Sequence, residues 1–129
     1  MQIVSDTNIF LAVVLDEPDK DRIIQITSGV DVAAPEILPY EIGNALSAML
    51  KRGQISNTEA LAALKATNDI PVRLLAADIQ QALKLAMEFN IYAYDAYFLQ
   101  CARALSSPLI TLDKRMKNVA VELGIEVWE

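Results

Sequence analysis

A chain of 129 residues, 53% hydrophobic and 22% charged, is long enough for one packed domain and too apolar to be disordered or fibrous. Its 17 acids against 11 bases set the net charge at −6, which argues against a protein that coats nucleic acid through excess Lys and Arg. The absence of histidine and the single cysteine, Cys101, exclude a Ser-His-Asp or Cys-His nucleophile, a His- or Cys-ligated zinc site and a disulfide framework.

Gln2–Ser5 reads as a short strand ending at Asp6, and Thr7–Leu15 as a helix closed by Asp16, Glu17 and Pro18. Within it, Ile9–Leu15 is the longest unbroken apolar run, far short of the roughly 20 residues that span a bilayer. No basic residue precedes Asp6, so no signal peptide is expected and the chain reads as cytoplasmic. Pro18–Ser28 predicts a second helix stopped by Gly29, and Val30–Ala33 a strand ended by Pro35. From about Glu36 to Arg52, Ile42, Leu46, Met49 and Leu50 recur at helical spacing, with Pro39 near the start and Gly53 as the stop.

Ser56 and Glu59 make a capping-box pattern for a helix reaching about Asn68, and Val72–Leu75 reads as a third strand. Asp78 caps a helix through Phe89, with Ile79, Leu83 and Met87 on one face; Tyr94–Leu105 is the next helix. Pro108–Leu112 is a strand ending at Asp113, Lys114–Leu123 a helix stopped by Gly124, and Ile125–Trp128 a last strand. Short apolar strands alternating with helices predict an α/β fold. The expected architecture is one domain over residues 1–129, a three-layer α/β/α sandwich on a short, mostly parallel central sheet.

Ligands of open α/β sheets bind outside the carboxyl ends of the strands. Asp6 and Asp113 each follow an apolar strand directly, while Glu41 and Asp95 stand near helix starts among apolar neighbours. Singly, Asp6, Asp95 and Asp113 are explained as helix caps and Glu41 as an exposed helix residue. Together the four fit a converging cluster, in which like charges at close range cannot all ionise unaided. A divalent cation resolves the conflict, and magnesium or manganese prefers the oxygen donors this chain offers.

The chain resembles the PIN-domain ribonucleases, most closely the small VapC-type toxins of toxin–antitoxin pairs. The likeness rests on Val4-Ser5-Asp6-Thr7-Asn8, Pro39-Tyr40-Glu41-Ile42-Gly43-Asn44-Ala45-Leu46, Tyr94-Asp95-Ala96-Tyr97 and Pro108-Leu109-Ile110-Thr111-Leu112-Asp113-Lys114-Arg115, in that order along nearly the whole chain. It implies an endoribonuclease in which Asp6, Glu41, Asp95 and Asp113 bind magnesium or manganese and activated water attacks an RNA phosphodiester. Asn8 and Thr111 match positions that assist the acids through hydrogen bonds. Asn44, three residues after Glu41 on the same helix face, is a candidate to orient it. Lys114 and Arg115 are candidates to steer the phosphate backbone or ordinary surface bases. The resemblance also implies a homodimer and a cognate antitoxin whose tail occupies the acidic groove, with no membrane partner.

Tyr92, Tyr94 and Tyr97 cluster around Asp95; stacking on unpaired RNA bases is one use for them, and packing in the core or at its rim is the favoured one. Cys101 reads as a buried small hydrophobe. The apolar Ile9–Leu15 helix is expected to be fully buried or to face another chain. A phosphatase using Asp6 as nucleophile would want an acid two residues on, where Asn8 stands. A binding module without catalysis would not need the four acids. A housekeeping RNA-processing nuclease remains an alternative to the toxin.

Overall fold

The computed structural model describes every residue from Met1 to Glu129. The elements run β1 (Gln2–Ser5), α1 (Thr7–Val14), α2 (Lys20–Thr27), β2 (Asp31–Pro35), α3 (Leu38–Lys51), α4 (Asn57–Asn68), β3 (Arg73–Leu75), α5 (Ile79–Phe89), α6 (Ala93–Leu105), β4 (Leu109–Ile110) and α7 (Lys114–Glu122). The sheet order is β3-β2-β1-β4, and all three pairings are parallel. Parallel strands require crossovers, and the helices supply them on both faces. The expected α/β/α sandwich is the observed fold.

Side-chain alternation along β1 assigns the two faces. Ile3 joins Ile9, Ala12, Ile23 and Ile110 in a small core under α1 and α2. Val4 joins Phe98, Leu99, Leu85, Leu109 and Met116 in the larger core on the other face. Helix α1 serves both cores: Ile9 and Ala12 fill the small one, while Phe10 belongs to the large one. Leu11, Val14 and Leu15 pack on the large core and Val13 on the small one, so the apolar excess of α1 is used inside the fold.

Local signals set most boundaries. Ser56 accepts a hydrogen bond from the Glu59 N–H at 3.1 Å, and Glu59 Oε1 accepts from the Ser56 N–H at 3.0 Å. This completes the capping box. Gly53 and Gly124 follow α3 and α7 with φ of 69° and 73°, the left-handed turn that a side chain resists.

One expectation needs correction. Ile125–Trp128 is not a strand: only Val127 bridges Leu109, in parallel. The ladder of β4 is just Leu109–Ile110, because the next amides turn to side chains, Leu112 N–H to Asn8 Oδ1 and Asp113 N–H to Thr111 Oγ1. A two-residue strand offers its edge little to pair with. On α5 the face bearing Ile79, Leu83 and Met87 points to solvent, and Ala82, Leu85 and Ala86 face the core. The small residues let α5 lie close against α6, and close approach outweighs side-chain size in choosing the face.

These assignments order two substitutions. Leu85→Ala should cost about 2–5 kcal/mol, the range for a buried leucine. Ser56→Ala should cost about 1 kcal/mol, the worth of one N-cap. Urea unfolding followed by circular dichroism reads both. An equal loss would contradict the burial of Leu85.

Candidate active site

β1 connects to β2 on one side and lies beside β4 on the other, so the strand order reverses between β1 and β4. Chains leaving the carboxyl ends of such neighbours diverge and leave a crevice. Asp6 stands at the end of β1, its N–H bonded to the Ile110 carbonyl at 3.0 Å. It is the N-cap of α1, and one carboxylate oxygen accepts the Thr7 N–H at 2.8 Å. The other accepts the Thr111 hydroxyl at 2.7 Å.

The other acids also come from helix starts. Glu41 and Asp95 lie in the first turns of α3 and α6, and Asp113 is the N-cap of α7, accepting from the Met116 N–H at 3.1 Å. Helix N-termini favour negative charge. Burial opposes it. Asp6 is only 6% exposed, and desolvation pushes its carboxyl from 3.8 up to about 6, against the Thr111 and Thr7 bonds and with help from the Asp95 and Glu41 charges. Burial also raises Glu41, with its Thr7 bond opposing and the Asp95 charge adding. It raises Asp95 too, where the Asp113 charge adds. The charges of Asp6, Glu41 and Asp95 thus repel one another, and Asp113 joins them through Asp95.

No cation answers it. The ion pairs of the chain are Lys20–Asp16, Arg22–Asp19 and Lys117–Glu129, none of them at these acids. Lys114 is exposed, and the Arg115 guanidinium donates to the Phe89 carbonyl at the end of α5. That bond gives Arg115 a structural use that the sequence did not suggest. An all-oxygen set of desolvated, uncompensated carboxylates fits a hard divalent cation. No three of them stand close enough together to form a ready-made metal cage.

Hydroxyl and amide groups fix the acids. Thr111 Oγ1 gives its proton to Asp6 and accepts from the Asp113 N–H at 3.1 Å and from Asn8 Nδ2 at 3.4 Å. Asn8 Oδ1 accepts the Leu112 N–H at 3.2 Å. Asn8 and Thr111 therefore hold the expected supporting places. Asn44 makes no hydrogen bond to Glu41; it is exposed in the pocket wall. Thr7 takes that role, its hydroxyl donating to Glu41 Oε2 at 2.8 Å. Thr7 was missed in the sequence, where the only signal was a hydroxyl residue directly after Asp6.

An open pocket runs beside Glu41, lined also by Thr7, Ile37, Tyr40, Asn44 and Tyr94. Tyr97 is half-buried against the core, in a T-shaped contact with Tyr94 at 6.0 Å and 75°. Tyr92 and Tyr94 are exposed, contrary to the packing role favoured for them. Cys101 is half-buried at the edge of the core, and desolvation pushes its thiol up to about 11, so it is inert as a nucleophile at neutral pH.

A carboxyl raised by folding binds its proton more tightly in the folded chain. Its contribution is therefore most favourable below the unfolded value near 4 and is lost as pH rises through about 6. Ionised Asp6 costs the fold about 3 kcal/mol at neutral pH. In EDTA, Asp6→Asn should unfold at a higher temperature than wild type at pH 7.5, and its advantage should shrink by about that amount at pH 4. Thermal melts across this range check the sign, and a gap independent of pH would contradict the burial of a charged Asp6.

A sequence model described as the PIN domain matches residues 3–122. No curated protein matches the chain. Among solved structures, the fold is similar to that of PAE2754 from Pyrobaculum aerophilum, with TM-score 0.76, 21% identity, and coverage of 98% of this chain and 83% of that one. VapBC2 from Rickettsia felis, bound to a DNA fragment from its promoter, is similar at TM-score 0.69 and 16% identity, covering 99% and 98%. FitAcB from Neisseria gonorrhoeae is similar at TM-score 0.67 and 16% identity, covering 98% and 96%. With the family model spanning nearly its whole length, the chain belongs to the PIN domain family.

Proposed function

We propose that this chain is a metal-dependent endoribonuclease that hydrolyses RNA phosphodiester bonds and serves as the toxin of a toxin–antitoxin pair. The observation that carries the reading is the group of desolvated carboxylates at the β1/β4 crevice with no basic partner. Asp6, Glu41, Asp95 and Asp113 would hold magnesium or manganese. When bound, such an ion supplies water of lowered pKa and positive charge facing the phosphate. The protein's part is to fix the donors. Thr111 and the Thr7 amide hold Asp6, the Thr7 hydroxyl holds Glu41, and the first turn of α7 holds Asp113. Lys114, exposed beside Asp113, is free to meet a backbone phosphate.

The toxin reading draws on the likeness to VapBC2 and FitAcB, and on a solved toxin–antitoxin complex from Klebsiella pneumoniae similar at TM-score 0.58 and 19% identity. A cognate antitoxin would place a basic side chain among the acids, where a guanidinium replaces the cation. No helix is long and apolar enough to cross a membrane. The exposed α5 stripe of Ile79, Leu83 and Met87 supports a homodimer, because an apolar row of this length is normally covered.

Cleavage of a labelled RNA in manganese tests the catalytic reading. Asp6→Asn and Asp95→Asn should lose at least about a hundredfold in rate, and Thr7→Val about 10–100-fold. Manganese at a hundredfold excess over Kd should stabilise wild type by about 2.7 kcal/mol, and an Asp6→Asn/Asp113→Asn double variant far less. Full activity in either Asn variant would end the assignment, and equal stabilisation would place the ion elsewhere.

The dimer is tested separately by sedimentation velocity at micromolar concentration. Wild type should run as a dimer and a Leu83→Glu/Met87→Glu variant as a folded monomer. A monomeric wild type, or an unaffected variant, removes α5 as the interface.

A further inference from the structure

The carboxylate group poses a binding problem. RNA is a polyanion, and the acids that would cut it pair with no Lys or Arg; Arg115 is tied to the Phe89 carbonyl, which leaves Lys114 as the one free base next to an acid of the group. Beside them lie two aromatic rings that packing does not explain. Tyr40 is 76% exposed and Tyr94 is 58% exposed, yet both line the pocket that Glu41 and Thr7 border. Each ring is placed by the backbone next to an acid, since Tyr40 directly precedes Glu41 and Tyr94 directly precedes Asp95.

Tyr94 is braced from behind by its edge-to-face contact with half-buried Tyr97. Asn44 lies one helical turn beyond Tyr40 in the same pocket, and its amide has no partner within the chain. It offers both a donor and an acceptor, as the edge of a nucleobase requires. Ile37 and Tyr40 also border a second, more apolar groove with Glu36, Ala77, Ile79 and Tyr97.

We propose that Tyr40 and Tyr94 form a nucleobase slot next to the carboxylates, with Asn44 reading the base edge. The inference rests on the nuclease reading for its substrate, but on the pocket for its mechanism. Stacking on an aromatic ring holds any base without needing positive charge. A base paired in a duplex keeps its faces covered by its neighbours and cannot enter the slot. The rings thus supply the affinity that the charge of −6 denies, and they select the unpaired strand.

The test uses a fluorescein-labelled, unstructured 12-nucleotide RNA and a blunt duplex of the same sequence. Anisotropy with calcium in place of manganese reads binding, and cleavage in manganese reads kcat and KM. Wild type should bind the single strand at least about tenfold more tightly than the duplex. Tyr40→Ala and Tyr94→Ala should each lose about tenfold in Kd, the weight of one base–aromatic stack. Tyr40→Trp should retain binding, and Tyr92→Ala, exposed but outside the pocket, should leave it unchanged.

In manganese the two Ala variants should raise KM while kcat stays within about threefold. Loss of binding in these variants with no cleavage by any form would sustain the slot and sink the nuclease reading. Cleavage with unchanged Kd and KM in both variants would sink the slot and leave the nuclease reading standing. Equal affinity for strand and duplex, or no RNA binding by wild type, would also overturn the slot.

Discussion

The hydroxyl of Thr111 has one proton to give and two lone pairs to fill, and the structure uses all three. The Asp113 amide and the Asn8 side chain both donate to it, so its proton goes to Asp6. Asn8 is oriented in turn by the Leu112 amide, which binds its oxygen and leaves its NH2 for Thr111. One buried oxygen thereby ties the end of β1, the start of α1, the end of β4 and the start of α7. These are the elements whose divergence opens the crevice. Without that proton, the Asp6 carboxylate would keep only the Thr7 amide as a partner. The short ladder of β4 has the same origin, since amides that would extend the sheet are used to hold the acids.

This arrangement is unfavourable by itself. A desolvated carboxylate beside the charges of Asp95 and Glu41 lowers the stability of the fold at neutral pH, and the helix N-termini and hydroxyls only soften the penalty. Two apolar cores on either face of the sheet make that tolerable, because they do not depend on the crevice. The strain is electrostatic rather than steric: every buried polar side-chain atom has a partner, so nothing is left for packing to repair. In the nuclease reading, a cation held by these acids would return that stability and so couple metal affinity to folding.

Much of this was legible in the sequence because its signals are local. Caps such as Asp6, Ser56, Asp78 and Asp113, and stops such as Gly53 and Gly124, mark ends wherever the helix later packs. The four acids stood out because each sits at an element boundary. What failed required the third dimension. Helical spacing put Ile79, Leu83 and Met87 on one face but could not say that small residues on the opposite face would win the core. Spacing also placed Asn44 near Glu41, whereas the actual partner, Thr7, is 34 residues away in the chain. Arg115 shows the same limit, since its carbonyl partner Phe89 lies on a different helix.

The placement of aromatic residues follows from the same electrostatics. In the nuclease reading, Lys or Arg paired with the carboxylates would compete with the cation, so bases directly on these acids are disfavoured. Contacts that hold a polyanion there have to be uncharged. Tyrosine suits this, since its ring offers stacking area and few rotatable bonds, and its hydroxyl tolerates water. Positions 40 and 94 adjoin the acids at 41 and 95, and on a helix adjacent residues diverge by about 100°. The ring therefore borders the carboxylate without covering it. Burying Tyr40 and Tyr94 would have stabilised the fold at the expense of the aromatic surface that opens onto Glu41. Their exposure is the counterpart of the buried charge on Asp6: both depart from the packing rule at the same crevice, and each makes sense only with a ligand in it.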